Sequence, residues 1–444
     1  MVNVASIFLT LGNPNSLIPL AIKDTTSTTG MTVGSYITGK EEGHDRFIDE
    51  VGTEIIWLGG IPFFKWLYDV TAFKALGMDS KFDARNLKDK DVLAKIKEYA
   101  PTEDIKKGIE KITQKEGTFK KAATEKFFIS TALTIASYIG LTKFKQNYTD
   151  KKIRENLIKE YQESQALKAK EDNEKTSSSN PSFKGLGSAV ESLAFSPVKN
   201  MWVLDGAITA ERLKDSRTKQ EFIGYAIKEA SILFFMYYAG GKIQELLENY
   251  ADKKHNTSIA LDARVLEDGF LKGAFEDGSI AKSLEEFKAA NTSKANLYEF
   301  LHKNPDNLVV KTAKMSDIIQ TYKEPQGLFK KAKDTGKIDT RKYIDLKDIE
   351  GVKDKIEKLY GQYKEALSKG KTGEEFFSKV KKLKRGSILT NIGSCMFALG
   401  VLTPAVMLLN RMAGDDNQEF ETKKRIREQL IKEGVIAWEK PSVY

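Results

Sequence analysis

The sequence predicts a mostly α-helical protein built from two related helical modules, each holding two apolar segments that we expect to lie in a membrane. Three observations support this fold class. Long uncharged segments occur, the alternation of apolar and polar residues typical of strands is scarce, and parts of the chain recur in the same order. The 444 residues, 41% hydrophobic and 30% charged, have the composition of a folded chain and not of a disordered one.

Four apolar segments divide the chain. The longest, residues 386–410, contains 25 consecutive uncharged residues. At roughly 1.5 Å per residue, a helix of this length exceeds the roughly 30 Å hydrocarbon core of a bilayer, and Pro404 should kink it. Residues 127–142 are also uncharged, whereas residues 55–73 and 222–241 include charges. The alternative is that these segments are core helices of a soluble α-protein, as apolar runs of about 10–14 residues usually are.

An internal repeat is the clearest pattern in the sequence. Residues 151–160 read KKIRENLIKE and residues 424–433 read KRIREQLIKE, with eight of ten positions identical. Three shorter matches occur in the same order, and the separation between matched positions only increases along the chain. They are Phe47-Ile48 and Glu54 with Phe222-Ile223 and Glu229, Asp83-Ala84-Arg85 with Asp262-Ala263-Arg264, and Ile109-Glu110-Lys111 with Ile356-Glu357-Lys358. We interpret this order as an internal duplication whose second copy carries an insertion.

The repeat sets the predicted domain boundaries. Charged helical loops at about 74–126 and 242–385 should share one side, and the two closing charged helices should share the other. The insertion should form a separate surface excursion, because long additions are tolerated in loops and not inside a packed core. The predicted units are an N-terminal segment 1–46, a first module 47–162, a polar linker 163–187, a second module 188–434 with an insertion at about 269–352, and a tail 435–444.

Two glutamates, Glu54 and Glu229, occupy matching places beside an apolar segment in the two copies. A two-fold arrangement would bring both carboxylates to the interface between the modules, and intramembrane carboxylates often carry protons or cations. The simpler interpretation is an acidic residue that favours the positive end of a helix dipole.

Six further charged residues also match between the copies. They are Asp83, Arg85 and Asp89 in the first copy and Asp262, Arg264 and Asp268 in the second. These residues are candidates for a charged network or a partner-binding site. Helix capping by the leading aspartates, with pairing of each arginine to the aspartate four residues later, is the simpler explanation.

A dense basic cluster stands immediately before the longest apolar segment. Its members are Lys379, Lys381, Lys382, Lys384 and Arg385. Beside a bilayer, such a cluster is predicted to bind anionic lipid headgroups. Ordinary cations at the end of a helix are the alternative.

Several classes of protein are disfavoured by composition. One cysteine and three widely spaced histidines leave little for a disulfide framework, a zinc site or a histidine-based centre, so we expect no metal and no cofactor. The net charge of +9 is spread over mixed-sign segments, which does not indicate a nucleic-acid partner. Residues 1–22 contain no Lys or Arg and their apolar stretch is short, so we expect no cleaved signal peptide.

These observations favour a non-enzymatic scaffold or interaction protein, integral to a membrane or tightly associated with it. Its expected partners are the lipid bilayer and either other proteins or further copies of itself. The first alternative is a small transporter or ion pathway at the interface of the two repeats, using Glu54 and Glu229. The second alternative is a soluble helical adaptor.

Overall fold

Helices form most of the structure, as the sequence predicts. The computed structural model describes residues 10–12, 16–165, 197–214, 216, 219–326, 332–413 and 418–436. Numbered along the chain, its elements are α1 Ile18–Thr38, α2 Lys40–Tyr68, α3 Lys90–Glu98, α4 Glu103–Gln114, α5 Glu116–Gln165, α6 Pro197–Lys214, α7 Lys219–Ile232, α8 Gly240–His255, α9 Ala263–Asp268, α10 Phe270–Glu276, α11 Ser279–Ala290, α12 Lys294–Lys303, α13 Leu308–Met315, β1 Thr321–Glu324, β2 Lys333–Ile338, α14 Leu346–Ser368, α15 Gly373–Phe397, α16 Thr403–Ala413 and α17 Gln418–Lys432. The two strands pair antiparallel, and within the described ranges they form the only sheet.

The long helices pack together as a bundle, which comprises α1, α2, α5, α6, α7, α8, α15 and α16. α1 and α2 form a hairpin that turns at Gly39, and α2 also packs along α5. Glycines allow these helices to approach closely: a Cβ atom built on Gly60 would lie 2.7 Å from Cγ2 of Thr134 on α5. The middle of the bundle is an apolar layer. It includes Leu20, Trp57, Ile61, Tyr138, Met201, Leu204, Ile208, Ile232, Met236 and Leu399.

Three π-helical stretches interrupt the long helices of the bundle. Asp69–Phe73 extends α2 before a last turn, Lys74–Leu76; Leu233–Ala239 joins α7 to α8, and Ala398–Leu402 joins α15 to α16. The last stretch stands directly before Pro404, where the sequence predicts a kink, because proline has no N–H to continue the helical hydrogen bonds. The hydroxyl of Thr403 donates to the carbonyl oxygen of Ala398 at 2.9 Å, and the Thr403 N–H donates to the same oxygen.

A second part of the structure, the cap, covers one end of the bundle. It comprises residues 77–115, 256–326 and 332–372, and it shares one hydrophobic core with the ends of the bundle helices that enter it. Buried Ile96 and Ile109 from the first stretch contribute to this core, as do Leu301 and Ile356 from the second. The two charged loops therefore lie together, as predicted.

Hydrogen bonds from backbone N–H groups to polar side chains define where several helices begin. The carboxylate of Asp89 accepts a hydrogen bond from the Val92 N–H at the start of α3, and the hydroxyl of Thr102 accepts one from the Ile105 N–H at the start of α4. At the start of α15, Thr372 and Glu375 form a reciprocal capping box. These bonds satisfy N–H groups that have no partner within their helices.

His302 in the cap makes the stability of the cap dependent on pH. Its ring stacks on Tyr99 at 4.6 Å between centroids, and Nε2 is buried with no hydrogen-bond partner among the described residues. Burial, reinforced by the charge of Lys314, lowers the pKa of His302 from 6.5 to about 4. The folded state thus favours the neutral ring, and its contribution to stability is full above pH 6.5 and is lost as the pH falls towards 4.

We expect acidification from pH 7 to pH 4 to remove about 3 kcal/mol of stability through His302. Urea unfolding of the unmodified protein and of His302→Phe at several pH values measures this contribution. The difference between the two proteins should change by that amount between pH 7 and pH 4. A difference that stays constant with pH would contradict the assignment.

The closing helices, residues 151–165 of α5 and α17, pack against each other at the opposite end of the bundle from the cap. Ile153 and its repeat counterpart Ile426 are both buried in one small apolar cluster, together with Leu430. Arg154 and Glu433 join the two helices through an ion pair of 2.6 Å. The two copies of the repeated ten-residue motif therefore share one environment.

The chain changes ends between α5 and α6. α5 ends at Gln165, beside α17. α6 begins at the other end, because Val198 lines a cavity of about 490 Å³ together with Ala260 and Asp262 of the cap. Most of the predicted linker, residues 166–187, lies outside the described residues, as do residues 1–9 and the tail from residue 437.

The predicted insertion differs most from expectation. The described residues of this stretch, 269–326 and 332–352, do not form a separate excursion, because Leu271, Phe275 and Val310 lie in the same hydrophobic core as Phe82 and Leu93. The amphipathic helices of this stretch must bury their apolar faces. The first charged loop, at about 74–126, supplies the surface against which they pack. The predicted boundary between residues 46 and 47 lies inside α2, which is continuous across it.

Candidate functional site

A buried charge network between the apolar layer and the closing helices is the strongest candidate site. Four carboxylates and four basic groups meet there, each at most 7% exposed. They are Asp45, Arg46, Asp49 and Glu50 from α2, Lys145 from α5, Arg212 from α6, and Lys228 and Glu229 from α7. As a set, these eight groups are electrically neutral at pH 7.

Arg212 is the centre of the charge network. Its Nη2 atom donates to Oδ2 of Asp49 at 3.2 Å and to the hydroxyl of Thr53 at 3.0 Å, and its Nη1 atom pairs with Glu229. Its Nε donates to the hydroxyl of Tyr138 at 2.6 Å. One guanidinium group thus joins α6 to α2, α5 and α7. The fixed fork of an arginine suits this work better than a lysine, because it presents five donors in one plane.

The other charges of the network pair around Arg212. Nζ of Lys228 donates to both oxygens of Glu50 at 2.7 Å. Nζ of Lys145 lies 3.5 Å from Oδ2 of Asp45, and Nη1 of Arg46 lies 3.4 Å from Oε1 of Glu50. Every carboxylate of the network has a cation within 4 Å. Buried charges are tolerated only with such pairing, so the geometry is that of a clamp holding four helices in register.

The structure places the two predicted glutamates in different surroundings. Glu229 belongs to the charge network and also accepts a hydrogen bond from Thr209 at 3.3 Å. Glu54 is only half-buried and accepts a hydrogen bond from Thr25 on α1. The two carboxylates do not contact each other. Each glutamate nevertheless accepts a hydrogen bond from a threonine on the preceding helix, which is α1 for Glu54 and α6 for Glu229.

The predicted Asp–Arg sites form local staples. Asp83 caps a short 3₁₀-helix, Ala84–Leu87, by accepting a hydrogen bond from the Arg85 N–H at 2.9 Å. Asp262 caps α9 by accepting one from the Arg264 N–H at 2.8 Å. Each arginine pairs back to the same aspartate, at 2.7 Å and 2.9 Å, instead of to the aspartate four residues later. That expected pairing is wrong, because an arginine two residues after an N-cap can fold its side chain directly over the capping carboxylate.

The aspartates that end these motifs have separate roles. Asp89 caps α3 and contacts Lys294 of the cap at 3.3 Å, whereas Asp268 is exposed at the end of α9. A third copy of the motif, which the sequence analysis missed, stands at Asp339-Thr340-Arg341. Arg341 donates there to Asp339 with the same geometry. In the sequence, this third motif could have been recognised as an Asp-x-Arg triplet that directly follows an apolar residue.

The basic cluster before α16 is largely occupied within the protein. Nζ of Lys379 donates to the carbonyl oxygen of His255 at 2.7 Å, and Nζ of Lys381 donates to that of Glu267 at 3.1 Å. Lys384 donates to the carbonyl oxygen of Ile259, and Arg385 pairs with Glu267. Lys382 is exposed. The three lysines bond carbonyl groups at the end of α8, in the loop after it and in α9, and these bonds tie α15 to the cap.

The charge network itself was missed in the sequence. Its signal was present in α2, where Asp45-Arg46 and Asp49-Glu50 repeat at a spacing of four and so fall on one face of the helix. Among the described residues, no group of three or more histidine, cysteine or acidic side chains is placed to hold a metal ion.

Among the helices that the structure describes, two are long and apolar enough to cross a membrane by length and composition. They are Glu116–Gln162 and Gly373–Asn410, and only 33% and 39% of their most apolar windows are buried. A core helix of a soluble protein would be mostly buried. No protein-family model, curated protein or solved structure matches this chain.

Proposed function

We propose that the protein is a non-enzymatic membrane scaffold or interaction protein, with its bundle in a lipid bilayer and its cap outside. The observation that carries this proposal is the reversed polarity of the bundle. Its interior holds the charge network, while its exterior is rich in exposed aromatic and aliphatic side chains. The cap has the opposite arrangement, with an apolar core beneath charged helix faces.

The exposed apolar side chains are concentrated on the bundle. Of the large apolar residues that are exposed in the described ranges, all except Leu367 lie on bundle helices or their π-helical stretches. Examples are Ile55, Phe63 and Trp66 on α2, Phe128, Ile129 and Phe144 on α5, and Phe397, Val401 and Leu409 on the α15–α16 segment. A soluble protein rarely leaves so extended an apolar surface uncovered, whereas lipid chains would cover it.

An internal duplication accounts for the matched details of the two halves. The Thr25–Glu54 and Thr209–Glu229 contacts, the two Asp–Arg staples and the paired closing helices each occur once in each copy. We propose that α1, α2 and α5 correspond to α6, α7–α8 and α15–α16, with the third Asp–Arg staple belonging to the insertion.

The charge network supports a structural role over an ion pathway. Glu229 is tied to Arg212 and Thr209, and Glu54 is tied to Thr25. An intramembrane carboxylate that carries protons or cations must release its partner, which here would leave Arg212 without one of its charges. We therefore assign the two glutamates to helix pairing and assign the interaction with partners to the cap.

Alkaline carbonate extraction tests the membrane proposal, together with a variant that places charge on the exterior of the bundle. We expect the unmodified chain to stay in the membrane pellet in carbonate and in high salt and to be released by detergent. Phe397→Arg should reduce the pelleted fraction, because an arginine near the middle of a membrane helix costs about 2.5–3.5 kcal/mol.

Leu367→Arg is the matched control, since Leu367 is 41% and Phe397 is 55% exposed. It should pellet like the unmodified protein. Release of the unmodified chain by carbonate without detergent would instead support the soluble adaptor.

A further inference from the structure

A basic cavity of about 200 Å³ lies where the bundle meets the cap. Four lysines line it, together with aromatic side chains and one carboxylate. Lys65 comes from α2, Lys126 from α5, and Lys81 and Lys342 from the cap, while the carboxylate is Asp69 in the π-helical stretch. The cavity is therefore assembled from elements of both parts of the structure.

The charges around this cavity are unbalanced. The lining residues include four lysines and one carboxylate, that of Asp69, which pairs with Lys126 at 2.5 Å, so the lining carries a net charge of +3. The nearby carboxylates of Asp339 and Asp83 are already engaged, at 2.8 Å with Arg341 and 2.7 Å with Arg85. This contrasts with the charge network in the bundle, where positive and negative groups are equal in number.

Lys342 gives the strongest sign that a partner is required. No hydrogen bond joins its ammonium group to another of the described residues, and burial lowers the pKa of Lys342. A partly buried ammonium group with neighbouring cations is unfavourable unless an anion compensates it. The cavity is large enough for several waters or for one phosphate group.

We propose that this cavity binds a phosphate group, held by Lys65, Lys81, Lys126 and Lys342. Lysine ammonium groups bind phosphate through charge-assisted hydrogen bonds, and the four that converge here are matched by a single carboxylate among the lining residues. The phosphate could come from a lipid headgroup or from a soluble phosphate. The position favours the headgroup, because exposed Phe63, Trp66 and Phe128 flank Lys65 and Lys126.

The choice of a lipid source rests on the proposed membrane location, whereas phosphate binding itself does not. The proposed headgroup site therefore differs from the one that the sequence predicts at residues 379–385, where most of the basic side chains are bonded within the protein.

Titration calorimetry on the full chain, in a sugar detergent that lacks phosphate, tests the proposal. The probes are inorganic phosphate, dihexanoyl phosphatidic acid, and dihexanoylglycerol as the lipid without phosphate. We expect the first two to bind and the third not to bind. Lys81→Gln and Lys342→Gln should each weaken phosphate binding by about tenfold or more, the equivalent of one lost charge-assisted hydrogen bond.

Lys282→Gln is the control, because it removes the same charge from an exposed side chain of the cap that does not line the cavity. Thermal melting of each variant checks the fold, and exposed Lys81 can be changed without disturbing packing. Binding of inorganic phosphate alone would keep the site and overturn the lipid source. Absence of phosphate binding, or equal affinity in all variants, would overturn the site, whatever carbonate extraction shows about the membrane.

Discussion

Replacing Arg212 with methionine is expected to destabilise the bundle by about 3–5 kcal/mol, because it leaves Asp49 and Glu229 as buried carboxylates without their main counter-charge. Arg212 is only 4% exposed, so water cannot take over the lost contacts. Methionine fills a similar volume without charge, which isolates the electrostatic effect from a cavity effect. The measurement is thermal unfolding of the purified protein in detergent, followed by circular dichroism.

Two further variants separate the charge network from a general loss of packing. Arg425→Met removes an arginine from an exposed ion pair with Asp150, at 2.8 Å, and should change stability by less than about 1 kcal/mol. Arg212→Met combined with Asp49→Asn and Glu229→Gln removes the unpaired charges together and should recover a large part of the loss. If Arg212→Met unfolds at the same temperature as Arg425→Met, the network does not hold the helices together.

Replacing Gly30 with alanine is expected to destabilise the bundle by about 1–3 kcal/mol, because the added methyl group overlaps a neighbouring helix. α1 crosses the π-helical stretch between α15 and α16 at this residue. A Cβ atom on Gly30 would lie 2.2 Å from the carbonyl oxygen of Gly400, and one on Gly400 would lie 2.6 Å from Cγ2 of Thr26. Backbone atoms cannot move aside as a flexible side chain can, so the two helices must separate.

Gly59→Ala provides the matched control for Gly30→Ala. Both glycines are inside helices, but a Cβ atom on Gly59 would meet nothing within 4 Å. Alanine is preferred over glycine in helix interiors by about 1 kcal/mol, so Gly59→Ala should be neutral or stabilising. Equal melting temperatures for the two alanine variants would refute the close crossing.

The sequence predicted what depends on local pattern. The absence of charged residues over long stretches predicted the helices around residues 127–142 and 386–410. The repeated ten-residue motif predicted similar surroundings for residues 151–160 and 424–433. The Asp–Arg staples were predicted as caps, because an N-cap bonds only to its own helix. All of these are interactions or periodicities that can be counted along a short stretch of chain.

What was missed depends on contacts between distant parts of the chain. Arg212 bonds to Asp49, 163 residues away, and to Tyr138, 74 residues away. The sequence of α6 has mixed polarity, and nothing in it shows that Arg212 faces inwards. The insertion was misplaced for a similar reason. Because its helices carry many charges, the sequence suggested that solvent surrounds them. Their apolar faces instead pack into a core to which residues 82–112 also contribute.

The ends of the bundle at which Ser16 and Ile436 lie have a consequence for how the chain would thread a bilayer. Ser16 lies at the cap, and Ile436 lies among the closing helices. If the bundle lies in a bilayer as proposed, the number of crossings between these two residues would be odd, and Ser16 and Ile436 would face different compartments.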